Sequence, residues 1–244
     1  YQSTFTYAKN TQWKGYLKKY KLNADGTFGK QEWDAGELLN NQSASSRKIW
    51  TSGIGNISTN NFTTTYLDLL KPKLFSNASP TDDDVTDLIN FVRGLDSYDE
   101  DDDGNTSESR HKLGDIYHSD INIVGAPEGS IDYNTEYQTA FYRNKNNYSQ
   151  FKAQYGSRKE VVYAGANDGM LHAFDAVTGQ EEWGFIPPFI AAKLPVIVNK
   201  EYDGKINVSS GGTNPIFAVD GSPVIHDMFI KGLIQDGTTV SWEE

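Results

Sequence analysis

The chain of 244 residues contains no cysteine. That excludes a thiolate nucleophile, a sulfur-ligated metal and a disulfide framework, and it leaves the redox compartment unread. Methionine is nearly missing as well, at 2 residues, so one of the flexible helix formers is scarce. No apolar run approaches the roughly 18 residues of a membrane span. No signal peptide is visible, because Tyr1 already opens a strand-like stretch; for an exported protein the targeting segment was removed or lay upstream. Positive charge is in short supply: 22 Lys and Arg stand against 33 Asp and Glu, a formal charge of -11. Such a chain repels phosphate backbones and anionic bilayers, which removes nucleic acid as a partner and makes cations the natural small ones. The four histidines, His111, His118, His172 and His226, keep no metal-ligand spacing, and neither a nucleophile elbow nor a phosphate loop is present. His172 reads as a packed or hydrogen-bonded core residue and His118 as one that orients a turn. The expectation is a protein that is not an enzyme.

What the chain does have is aromatic rings, 14 Tyr, 12 Phe and 5 Trp. Rings bury large areas and favour strands. Residues 2–9 are β-like, with Phe5 and Tyr7 on one face, and 15–22 form a strand in which Tyr16, Tyr20 and Leu22 share a face. Asn23, Asp25 and Gly26 supply a hairpin turn. A short strand is expected at 47–51. Residues 81–93 are the clearest helix: Val85, Leu88, Ile89 and Val92 recur at helical spacing, the first turn is acidic, and Gly94 is a stop. Residues 112–125 read as strand-forming, and 127–158 as a Tyr- and Asn-rich insertion without a placed element. The best-defined stretch is 161–183, three short strands on two tight turns, 166–169 and 176–179. Strands are also expected at 216–219, 224–230 and 238–242. The meander is the unit of a propeller blade. The five tryptophans, spread one to each strand cluster, fit packing between strands better than a sugar-stacking platform. The expected class is therefore all-β, a β-propeller of antiparallel blades with helical and loop insertions. At about 40–50 residues per blade, 244 residues with long insertions hold only two or three. The chain reads as the N-terminal portion of one propeller domain spanning 1–244, an incomplete fragment, with insertions around 76–111 and 126–158.

One acidic run carries cation chemistry. Asp99, Asp101 and Asp103 alternate ahead of Gly104 and Asn105, the pattern in which a loop wraps oxygen ligands around a hard cation. Calcium, at Asp99, Asp101, Asp103 and Asn105, is preferred over a solvated acidic loop. The twelfth position of such a loop calls for a bidentate acid, and Arg110 stands there; Glu108 is near but out of register.

The segment Val161-Val-Tyr-Ala-Gly-Ala-Asn-Asp-Gly-Met-Leu-His-Ala-Phe-Asp175, continued to Trp183, resembles the quinoprotein-type propeller repeat. Its Gly165-Ala-Asn-Asp-Gly-Met-Leu-His-Ala-Phe174 core is similar, more specifically, to the PilY/PilC family of type IV pilus tip and biogenesis proteins. Trp13-Lys-Gly-Tyr, Trp33-Asp-Ala-Gly, Leu113-Gly-Asp-Ile-Tyr-His-Ser119 and Val219-Asp-Gly-Ser-Pro223 agree in order. The resemblance implies a bacterial cell-surface, outer-membrane-associated or pilus-tip protein that supports pilus assembly and twitching motility, counters retraction and mediates adhesion. It implies minor pilins or the pilus tip, and a host or surface receptor, as partners, and calcium as regulator. That family's own calcium loop is expected further downstream, so 99–105 reads as a separate site. Quinone-cofactor dehydrogenases share the repeat but need several strong copies and usually an adjacent cysteine pair; outer-membrane assembly scaffolds have more regular blades.

Overall fold

The computed structural model describes residues 1–7, 11–56, 59–75, 79–132, 138–198, 213–228, 232–235 and 240–243. The chain divides into two compact units, one formed by 1–123 with 161–223, the other by 124–160 with 224–244.

The first unit holds two sheets. In the smaller, β1 (Gln2–Thr6), β2 (Lys14–Leu22) and β3 (Phe28–Asp34) pair antiparallel in chain order. Asn23 and Asp25 close the β2–β3 hairpin as the sequence predicts, with Asp25 Oδ1 accepting from the Thr27 amide and hydroxyl. The core-facing row of β2 contains Leu17, fully buried, while Leu22 on the Tyr16–Tyr20 row is exposed. Asp34 then caps α1 (Ala35–Asn41), its carboxylate accepting from the Gly36 and Glu37 amides.

The larger sheet has the order β4-β8-β7-β6-β5, built from β4 (Ile49–Thr51), β5 (Asn122–Val124), β6 (Val161–Gly165), β7 (Leu171–Asp175) and β8 (Glu181–Ile186). β6, β7 and β8 form the expected antiparallel meander, while β4 joins β8 in parallel. Side chains alternate across this sheet. Val162, Ala164 and Phe174 turn towards Leu17, Trp33 and Leu39 in one apolar cluster. Ile49, Met170 and Ile186 join a second with the helices α2 (Leu67–Leu74) and α3 (Asp82–Arg93) and two single-turn helices, Pro188–Ala191 and Leu194–Ile197. Tyr163, Trp183, Phe185 and Trp50 line the other face as a half-buried aromatic row, with centroids 5.7 Å apart for Tyr163–Trp183 and 4.4 Å for Trp50–Phe185.

α3 matches its sequence signals closely. Thr81 and Asp84 form a capping box, and Gly94 ends the helix at φ 115° with its amide on Asn90 and Phe91 carbonyls. α2 carries Pro72 in its interior. The second unit contains α4 (Gln138–Lys145), α5 (Tyr148–Tyr155) and an antiparallel ribbon of β9 (Gly232–Gln235) and β10 (Val240–Glu243). Tyr148 donates to Asp227 at 2.9 Å, and Arg158 Nε donates to the Gly125 carbonyl at 2.6 Å.

The all-β expectation is therefore corrected: helices occupy much of 67–93 and 138–155, and no closed ring of blades exists among the described residues. The strand expected at 216–219 is absent, as is any strand over 224–228; 229–231 and 236–239 lie outside the described residues. Of 112–125 only 122–124 is strand. At 216–219 the backbone amides go elsewhere: Ala218 donates to Asn167 Oδ1 at 3.0 Å and Val219 to the Ala166 carbonyl at 3.3 Å.

β2 meets the 113–115 segment with almost no clearance. Gly15 donates to the Leu113 carbonyl at 2.8 Å, and a Cβ on Gly15 would stand 2.0 Å from the Gly114 carbonyl oxygen. Backbone cannot yield as a side-chain tip can. Gly15→Ala is expected to destabilise the first unit by about 2–3 kcal/mol, read as a shifted urea midpoint; an unchanged midpoint would show that the two segments separate readily.

Candidate metal centre

The acidic run follows α3 directly and is closed by its own stem. Leu95 and Ser109 form an antiparallel bridge, the Asp96 amide donates to the Glu108 carbonyl at 2.9 Å, and the Arg110 amide donates to the Gly94 carbonyl at 3.1 Å. Within the stem the chain makes successive aspartate turns. Asp99 Oδ1 accepts from the Asp103 and Gly104 amides at 2.9 and 3.0 Å, and Asp103 Oδ1 accepts from the Asn105 amide at 2.8 Å. Asp99, Asp102 and Gly104 take positive φ values of 51°, 62° and 84°. Aspartate and glycine tolerate that region best, which is why this composition permits so tight a winding.

The winding gathers carboxylates. Asp99, Asp101 and Asp103 each offer an oxygen within 4.8 Å of the others, as the alternating sequence pattern predicts. A second group, Asp96, Asp101 and Glu108, meets the same criterion, so Asp101 belongs to both. The donors are all oxygens, the set a hard cation such as Ca²⁺ takes. Asn105 directs its side chain along the loop: Oδ1 accepts from the Ser107 amide and hydroxyl, and Nδ2 donates to Glu108 Oε2 at 3.2 Å. Asp96 and Glu108 are the members that sequence spacing does not reveal. The stem brings them together, and Glu108 fails the linear register that the loop pattern demands.

Electrostatics records the crowding. The Glu108 carboxyl is held above its ordinary range, first by the Asp103 carboxylate, with smaller contributions from burial, Asp101 and Asp96. Asp96 is buried, and desolvation raises its pKa against the opposing hydrogen bond from the Glu100 amide. A cation among these groups would relieve that repulsion.

One acidic residue of the loop points the other way. Glu100 is buried; its Oε2 accepts from Arg110 Nε at 3.2 Å and its Oε1 from the Thr213 hydroxyl at 2.7 Å. Burial opposes its charge, but Arg110 and Thr213 overcome that and lower its pKa. Arg110 also reaches Gln12 Oε1 at 2.7 Å, and Gln12 Nε2 donates to the Asn167 carbonyl at 3.0 Å. The loop is thereby tied to the turn between β6 and β7.

That turn opens onto a set of buried charges, of which the sequence marks only His172 as a core residue. His172 stands on β7 between Met170 of one apolar cluster and Phe174 of the other. Its Nδ1 lies 2.8 Å from Glu181 Oε1 and its Nε2 3.0 Å from Asp168 Oδ2. Carboxylates accept only, so both ring nitrogens donate and the ring is cationic. Burial works against that charge, yet Asp168 and Glu181 overcome it and push the pKa up to about 9. Asp168, expected only as a turn residue, also accepts from the Gly114 and Met170 amides at 2.7 and 3.0 Å. Arg47 meets Glu181 with two bonds of 2.8 Å and donates to the carbonyls of Val92 and Arg93 at the end of α3. This arrangement ties the larger sheet to the 113–115 segment and to the end of α3, with Arg47, Asp168, His172 and Glu181 all buried.

The PilY1 beta-propeller domain family matches residues 113–236, just over half of the chain. The chain belongs to the PilY1 beta-propeller family. Among curated PilY1 relatives, the type IV pilus biogenesis factor PilY1 of Pseudomonas aeruginosa strain UCBPP-PA14 is 33% identical over 240 residues, which cover 95% of this chain and 19% of that protein. The PilY1 of strain PAK is 34% identical over 241 residues, with the same two coverages. A PilY1 homolog of Xylella fastidiosa is 40% identical over 114 residues, 47% of this chain and 9% of that protein. The chain thus spans about a fifth of the length of the Pseudomonas PilY1 proteins. No solved structure matches it. The span matched by the PilY1 domain contains the β6–β8 meander with Asp168, His172 and Glu181, whereas Arg47 and the acidic loop precede it.

Proposed function

We propose that this chain is a non-catalytic part of a type IV pilus biogenesis factor, displayed at the bacterial cell surface and working through binding. The observation that carries the reading is the PilY1 beta-propeller match, together with curated relatives named as type IV pilus biogenesis factors. The chain forms part of one propeller domain, with 76–111 and 126–158 as insertions. Its partners are pilins at the pilus tip, and adhesion to a host or surface receptor is a second task of the same assembly. No helix among the described residues is long and apolar enough to cross a membrane.

Calcium modulates this module through the acidic loop. Asp99, Asp101, Asp103 and Asn105 hold the ion, with Asp96 and Glu108 completing the oxygen set. The ion supplies charge neutralisation and order; the chain supplies a stem-closed loop whose inward Glu100 fixes its position. Calorimetric titration with CaCl₂ is expected to give a saturable heat that Asp101→Asn abolishes, since Asp101 is common to both carboxylate groups. Free Ca²⁺ at 100 times Kd is expected to stabilise the chain by about 2.7 kcal/mol. Equal heats from the original chain and the variant would remove this loop as the site. The pilus reading is tested separately, by restoring surface pili to a strain that lacks the full-length protein with a gene whose 161–183 segment is intact or deleted; equal piliation would count against it.

A further inference from the structure

The first unit carries a patch of aromatic rings that belongs to neither apolar cluster. Phe5 and Tyr7 come from the β1 end, Trp13 from the start of β2, Tyr117 from the segment after the Gly114 contact, and Phe217 from the irregular 213–223 stretch. Phe5 stacks on Trp13 with centroids 5.1 Å apart and planes 9° apart; Tyr117 meets Phe5 at 5.9 Å and Phe217 at 6.3 Å. Tyr7, Tyr117 and Phe217 are 65%, 51% and 63% exposed, so ring faces remain open to solvent. Contiguous exposed apolar surface with a polar border marks a binding site, not a packing accident.

The border is polar and fixed. His118 lies against Tyr117 at 4.5 Å and Phe217 at 6.0 Å. Its amide donates to Asp220 Oδ1 at 3.0 Å, and its ring Nδ1 pairs with Asp220 Oδ2. The Asp120 amide donates to the Ser222 hydroxyl at 2.9 Å, and Asn122 Nδ2 to the Pro223 carbonyl at 2.8 Å. These bonds join 118–122 to 220–223 and hold the Tyr117 and Phe217 backbones in register before any ligand arrives, which reduces the ordering cost of binding.

We propose that this patch is a saccharide-binding site, with neutral oligosaccharides as its ligand class. Three features select that class. Its described members are stacked or edge-on rings, and flat π faces complement the C–H face of a pyranose. The His118 imidazole packs on the Tyr117 and Phe217 rings and is held there by Asp220, so a hydrogen-bonding group stands beside the ring faces, where the hydroxyls of a stacked sugar would lie. The chain's charge of -11 disfavours sialylated or sulfated glycans. The patch uses none of the loop carboxylates, so it is independent of calcium at the acidic run.

The test is calorimetry and tryptophan emission of the full chain with maltopentaose, cellopentaose, triacetylchitotriose and lacto-N-tetraose, with sialyllactose as the anionic comparison. At least one neutral sugar is expected to bind saturably, with sialyllactose weaker. Tyr117→Ala and Phe217→Ala should each weaken that binding about tenfold. Phe217→Tyr, which keeps the ring, should retain it, and Trp183→Phe on the distant sheet face should leave it unchanged. Thermal melts of the alanine variants separate lost binding from lost fold, and the tyrosine variant decides where a melt has moved. The proposal is overturned by no saturable sugar, by binding that ignores the two alanine variants, or by a proline-rich peptide that occupies these rings in place of every sugar.

Discussion

Arg47→Met is expected to lower the stability of the first unit by roughly 3–5 kcal/mol, the range for removing one partner of a buried ion pair. Arg47 is fully buried and meets both oxygens of Glu181 at 2.8 Å. Burial opposes the guanidinium charge; the Glu181 carboxylate outweighs that and raises the Arg47 pKa, while Arg47 in turn holds Glu181 well below the carboxylate range. Methionine fills much of the volume but leaves that carboxylate with His172 as its hydrogen-bonded cation and only the more remote Arg93 and Lys112 charges besides, and it uncaps the Val92 and Arg93 carbonyls. The double variant Arg47→Met with Glu181→Gln separates these effects. A side-chain amide on β8 strands no charge and keeps an oxygen for His172, so much of the loss should return. Urea unfolding followed by tryptophan emission reads all four corners of the cycle. A single-variant loss below about 1 kcal/mol would mean that water reaches Glu181 and that the pair contributes little.

The second large effect depends on pH. His172 has a folded pKa of about 9 against an ordinary 6.5. A group raised in this way contributes stability that is fully present below 6.5 and is lost as pH climbs through 9. The shift corresponds to about 3 kcal/mol. Lys112 acts with the opposite sign: burial, then Arg47 and Arg110, depress its pKa to about 8, and the cost of keeping it charged fades as pH rises. The total stability curve therefore mixes the two. The difference between the original chain and His172→Gln isolates the histidine. That gap should be widest near pH 6 and should narrow by about 3 kcal/mol by pH 10. A gap of constant width across this range would show that the ring is neutral in the fold.

Much of the meander was legible because several signals coincide there. Val161, Val162 and Tyr163 favour a strand, Leu171 and Phe174 supply apolar residues to the return strand, and Asn167-Asp168-Gly169 and Thr178-Gly179 mark the turns, with Gly169 and Gly179 both at positive φ. α3 was legible for the same reason, since its cap, periodicity and stop agree. α2 was not, because Pro72 inside it reads as a breaker and its apolar face is short. The strand expected at 216–219 has suitable residues, but the Asn167 side chain takes the Ala218 amide that a ladder would use. In the acidic loop, alternation exposed Asp99, Asp101 and Asp103, whereas Asp96 and Glu108 meet only because the stem folds. Of the buried charges only His172 was legible, as a packed, hydrogen-bonded core residue; Arg47 and Glu181 resemble ordinary surface residues until the sheet places them side by side.

The parallel seam between β4 and β8 sets an order of events. Arg47 and Glu181 are 134 residues apart in sequence, and the unit they join is interrupted by 124–160. While the chain leaves the ribosome, Arg47 and the β8-facing edge of β4 must wait for their partners until the last strand of the meander emerges. Closure over so long a stretch of polypeptide is slow, and the edge left open meanwhile is adhesive towards other nascent chains. Slower synthesis between residues 51 and 181 is therefore expected to lower the yield of folded protein, as expression with slowly read synonymous codons in that span would show.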